Sequence, residues 1–125
     1  MGDFNDEPTN RSIMSVLQAS DKRKNISVGE FYNLLYDKHN LNSEGTYFYD
    51  GNWNMLDQLM VSHTLLNPAA GLGCKYDSGK ILKEDWMLYR AKDGNVSPNR
   101  TYGGDEYYGG ISDHLPVYVI LETVK

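Results

Sequence analysis

Apolar positions along "SIMSVLQAS" fall three and four apart, with Ile13, Val16 and Leu17 on one face, which is the period of a helix. Asn10 or Ser12 can cap its start. The same period returns in "SVGEFYNLLYDKHN", where Phe31, Leu34 and Leu35 form the stripe and Ser27 with Glu30 makes a capping box. These patterns predict helices near 11–20 and 28–38. At Gly45 the period changes to two. Tyr47-Phe48-Tyr49 is aromatic and β-prone, Asp50-Gly51 is a tight-turn signal, and "WNMLDQLMVS" continues as a buried strand. Strands are therefore predicted at 46–49, 54–62 and, in "LPVYVILETV", at 115–122, where Pro116 is tolerated near the start. Residues 66–79 read as loop, and "ILKEDWMLYR" as a short ordered piece, strand in preference to helix. Residues 93–112 form a long polar loop rich in glycine and tyrosine, a length usually functional or disordered. No repeat or linker interrupts the chain, which reads as one domain or part of one.

With 125 residues, 40% of them hydrophobic, the chain is large enough for one soluble domain. No segment approaches the ~18 apolar residues of a membrane span. Met1 leads directly into polar residues, so no signal peptide is read, and no signal assigns a compartment. The single cysteine, Cys74, excludes an internal disulfide and reads as a small loop or core residue. The formal charge of −5 leans against a reader of long nucleic acid, whose affinity rests on Lys and Arg against phosphates. "DKRKN" at 21–25 is a solvated turn on this reading. An acidic protein still handles phosphate esters when a divalent metal supplies the positive charge.

Three clusters carry candidate chemistry. Asp3, Asn5 and Asp6 lie at the end of the opening strand. Asp57 lies in a row with Met55, Leu59 and Val61 on alternating geometry. An ionised carboxylate buried there is costly without a partner, so Asp57 either faces the solvent end of the strand or has a cation, a His or a donor waiting for it. Asp113 and His114 precede the final strand. Any one of these alone is ordinarily structural. Carboxylates, an amide and a His at the ends of three strands are the usual components of a metal-assisted hydrolytic site. His63 reads as a surface or packing residue, His39 as a favourable charge at a helix end, Asp6 as a cap or turn before Pro8, and Trp53 and Trp86 as core. Arg100, Tyr102, Tyr107 and Tyr108 either line a substrate pocket or pack a surface loop among themselves.

"GDFND" at 2–6, "LDQLMVS" at 56–62 and "GGISDHLPVY" at 109–118, in that order, resemble the endonuclease/exonuclease/phosphatase family. "GTYFYDGNWNMLDQ" and "PNRTYGGDEYYGGISDHLPVY" are most similar to its bacterial members of the Bacteroides type. The resemblance covers essentially the whole chain. It implies an α/β (α+β) fold, the DNase I-like four-layer α/β-sandwich. In that family the GDFN strand lies near the middle of the domain, so residues 1–125 resemble the C-terminal half, mainly antiparallel sheet with flanking helices, without the N-terminal half and its metal-binding Glu.

The implied activity is a phosphoesterase dependent on Mg²⁺ (or Mn²⁺), in which water attacks a phosphodiester or phosphomonoester. Carried over by motif, Asp3 orients and deprotonates the water, and Asn5 bonds a phosphoryl oxygen or the nucleophile. Asp113 contributes to the metal site, His114 contacts the scissile phosphate, and Asp57 fixes the tautomer of His114 and keeps it protonated. Arg100, Tyr102 and Tyr108 are candidate substrate contacts. The competing expectation is a non-catalytic chain, a truncated product or binding remnant that folds by self-association or with its missing half. Expected partners are a phosphate-ester substrate, with long nucleic acid disfavoured by charge, and a second copy or the missing half.

Overall fold

The computed structural model describes residues 1–125 and shows why the helical spacing near the start is only partly used. Ile13 is buried and anchors a five-residue π-type turn at Ser12–Val16. Gln18 then enters the left-handed region at φ 55°, which ends the helix early. The chain is extended by Ala19–Ser20, so the helix expected over 11–20 is shorter than its period suggested.

The expected helix at 28–38 is corrected more strongly. Ser27 and Glu30 do make the reciprocal bond of a capping box, Ser27 N–H to Glu30 Oε2 at 2.8 Å. It closes a turn around Gly29, at φ 100°, and a strand follows. That strand has partners on both sides, and a fully paired ladder satisfies its backbone without a helix. The helix forms later, at Tyr36–Asn42, ending in Ser43 at φ 55°.

In chain order the strands are β1 Gly2–Asp3, β2 Ala19–Ser20, β3 Phe31–Asn33, β4 Tyr47–Tyr49, β5 Asn52–Asn54, β6 Asp57–Gln58, β7 Met60–Ser62, β8 Gly71–Cys74, β9 Lys80–Ile81, β10 Leu88–Arg90, β11 Val96–Pro98, β12 Tyr102–Gly103, β13 Glu106–Tyr107, β14 Val117–Tyr118 and β15 Leu121–Val124. The helices are α1 Tyr36–Asn42 and the single turn α2 His63–Leu66. The result is a mixed α/β fold, the expected class, with one parallel pairing (β2 with β3) among antiparallel ones.

The strand expected over 54–62 is broken into pieces because each piece has a different partner: β5 pairs with β4, β6 with β1, and β7 with β3. The 115–122 strand likewise splits, β14 joining β9 and β15 joining β8. Strand β8 lies inside the stretch read as loop, and β11 and the β12–β13 hairpin lie inside 93–112. "ILKEDWMLYR" runs from the last residue of β9 through a 3₁₀ turn at Asp85–Met87 into β10.

The core gathers Ile26, Leu34, Leu35, Met55, Leu59, Val61, Leu66 and Cys74, with Val117 and Val119 packed against it. Each fully buried side chain of this kind contributes about 1.5–3 kcal/mol. Cys74 is a core residue, as read. Trp86 is 62% exposed and does not join it, because the 3₁₀ turn buries Met87 instead.

Candidate active site

Strands β1 and β6 pair antiparallel with Asp3 directly opposite Asp57. Like charges in that position repel, so the register needs a compensating group. His114 supplies it. Its Nδ1–H donates to Asp57 Oδ2 at 2.7 Å, and both side chains are three-quarters or more buried. The buried carboxylate expected to need a partner has one, and the partner is the His of the SDH segment.

Three residues that the sequence reading did not single out place this pair. Thr46 is fully buried; its Oγ1 accepts from Asp57 N–H at 3.3 Å and its carbonyl from Leu115 N–H at 2.8 Å. Tyr47, bridged to His114 in antiparallel fashion, lays its ring 4.8 Å from the imidazole. Ser112 Oγ accepts from His114 N–H at 3.1 Å. The signal for Tyr47 was present in "YFY": alternation puts Tyr47 and Tyr49 on one face, where they stack.

Gln58 is the fourth, fully buried. Its Nε2 donates to the carbonyls of Asp6 at 2.8 Å and Met55 at 2.6 Å, and its Oε1 accepts from Asn33 at 2.9 Å. Asn33 in turn accepts from Leu35 N–H at 3.1 Å. A buried amide with all these partners fixes the strand-end loop that carries Asp3, Asn5 and Asp6. In that loop Asn5, at φ 51°, donates its backbone N–H to Asp3 Oδ1 at 2.9 Å. Asp6 turns the chain as expected, accepting from Asn10 at 2.7 Å and Ser12 at 2.6 Å. Those bonds, from Ser12 first and then Asn10, hold its carboxyl below the usual carboxylate range.

His39 binds Glu7 through Nε2 at 2.6 Å and the Glu44 carbonyl through Nδ1 at 3.1 Å, so it ties α1 to the segment after β1 as well as sitting in the last turn. Asp113 is exposed. Nowhere does the chain group three or more His, Cys, Asp or Glu side chains so that they could hold a metal ion. Asp3 and Asp113 therefore do not by themselves fit an octahedral hard cation such as Mg²⁺.

Beyond this pair, a cavity of about 450 Å³ is walled by Phe48, Tyr89, Asn99, Arg100 and Tyr108 among others. Arg100 and Tyr108 thus lie together, while Tyr102 instead packs on Tyr107 at 5.2 Å across the β12–β13 hairpin. The cavity wall is linked to the His114 segment: the Asn99 carbonyl accepts from Ile111 N–H at 2.7 Å and Ser112 N–H at 3.3 Å. No helix is long and apolar enough to cross a membrane.

Among known proteins, the model of the endonuclease/exonuclease/phosphatase family matches residues 1–123. No curated protein and no solved structure matches the chain.

Proposed function

Because the chain belongs to the endonuclease/exonuclease/phosphatase family, whose members hydrolyse phosphoester bonds and typically use divalent metal ions, we propose that it carries the water-positioning and phosphate-contacting part of such a site. The observation that carries the reading is the Asp57–His114 hydrogen bond of 2.7 Å set opposite Asp3. On this reading the His114 ring is doubly protonated: Asp57 accepts its Nδ1–H, and its Nε2–H donates to a phosphoryl oxygen as negative charge builds. Asp3 aligns the attacking water and takes its proton, and Asn5 donates its side-chain amide to the phosphoryl group. Arg100 and Tyr108 hold the rest of the substrate, with Tyr102 at the hairpin beside them.

The chain alone lacks a three-ligand metal cluster. On this reading residues 1–125 are the C-terminal part of a Bacteroides-type domain, and an additional carboxylate joins Asp113 to complete a Mg²⁺ (or Mn²⁺) site from outside these residues. A second reading, a non-catalytic remnant, draws on that same lack of a metal cluster. Hydrolysis of a phosphodiester and a phosphomonoester, with and without Mg²⁺, by this chain and by a protein extended before Met1, separates the two. Metal-dependent turnover by the extended protein is expected; none from either protein supports the remnant.

A further inference from the structure

The 450 Å³ cavity has the volume of a small-molecule site, typically ~300–1,000 Å³. Three aromatic residues line it, Phe48, Tyr89 and Tyr108, and Arg100 is its one cationic residue. The Arg100 guanidinium makes no ion pair within the protein; the arginine that does is Arg90, with Asp85. A free guanidinium fork beside aromatic faces suits a ligand that is both anionic and planar.

Tyr108 is set for such a ligand. Its hydroxyl donates to Glu106 at 3.1 Å, and that bond, the largest cause, raises its pKa and keeps the phenol neutral. Its ring lies directly on Gly103, where a Cβ would collide with it. A single cation in the wall, a carboxylate (Glu106) bonded to the wall residue Tyr108 and a net charge of −5 argue against a polyphosphorylated polyol or a long polyanion, which need several cations.

We propose that this cavity binds a phosphorylated planar ring of mononucleotide size, the ring stacked against Tyr108 and Tyr89 and the phosphate on Arg100. As a statement of substrate class it rests on the phosphoesterase reading; as a binding site it stands on the cavity itself.

Calorimetric titration in EDTA with adenosine monophosphate, ribose phosphate and inorganic phosphate tests it. Adenosine monophosphate binds at least ~5-fold tighter than ribose phosphate, since stacking one base contributes on the order of 1 kcal/mol or more. Tyr108→Ala and Arg100→Ala each weaken it ~5-fold or more, while Tyr108→Phe, which keeps the ring, retains affinity. Arg100→Gln, close in bulk, carries the same expectation as Arg100→Ala. Equal affinity for adenosine monophosphate and ribose phosphate, or unchanged binding in the Arg100 variants, overturns the proposal. No turnover is read, so failure here leaves the hydrolase reading standing, and inactivity on phosphoesters leaves the binding result intact.

Discussion

At the scale of single residues, the pairing of Asp57 with His114 follows from the cost of burying charge. A carboxylate whose side chain is mostly buried needs a donor, and His114 is that donor at 2.7 Å. That Asp57 needs a partner was legible from the apolar positions around it and the general desolvation penalty; that the partner is His114 was legible only through the resemblance of the LDQ and SDH motifs to the family. Thr46 and Gln58 were not, since nothing local marks a buried Thr or Gln until its partners, up to 52 positions away in the chain, are known. On the proposed roles, Asp57→Ala lowers kcat on the order of 10- to 100-fold, the usual loss when a carboxylate that orients a working imidazole is removed. KM changes less, because substrate contacts remain. Steady-state kinetics that show an unchanged kcat reject the positioning role.

At the scale of elements, local turn chemistry was legible and the choice of pairing partner was not. Asp50-Gly51 closes the β4–β5 hairpin with φ of 48° and 80°, as the primed turns of tight hairpins require. Ser27 and Glu30 also found each other as their spacing implied, yet Phe31–Asn33 became a strand because β2 and β7 offered ladders on both sides. Helical period could not reveal that. Two glycines separate the two kinds of constraint. A Cβ at Gly51 meets open space, so Gly51→Ala costs only the left-handed backbone penalty, about 1–2 kcal/mol. A Cβ at Gly110 would run into the carbonyl oxygens of Asn99 and Arg100, so Gly110→Ala must displace the loop that leads to His114. Thermal melts should show the larger fall in Tm for Gly110→Ala. Equal, small falls would mean that this loop does not hold the geometry described.

At the scale of the molecule, the accessible surface is 8023 Å², whereas a folded monomer of 14.2 kDa is expected to expose roughly 6,800 Å². The excess, about 1,200 Å², is larger than one partner's share of a standard interface, ~800 Å². Leu59 and Val61 are in the core with Val117 and Val119 packed against it, while Tyr118 and Ile120, together with Leu121 and Leu72, carry exposed apolar surface. Patches of that kind are seldom left bare. Purified residues 1–125 are therefore expected to self-associate in light scattering at micromolar concentration, and a monodisperse monomer would contradict this. The fold class was legible from the change of period and three ordered motifs. The division of the strands into short pairs was not, because pairing is set by contacts between segments far apart in sequence.

On the proposed reading, in which further residues before Met1 complete a Mg²⁺ site, the most direct measurement is the Mg²⁺-dependent turnover of a phosphodiester by such an extended protein, compared with its His114→Ala variant. A donor to the charge that develops in the transition state is worth ~10²- to 10³-fold in kcat. The account predicts a loss of that size with the variant still folded by circular dichroism. A folded His114→Ala protein that turns over substrate at the wild-type rate would contradict it.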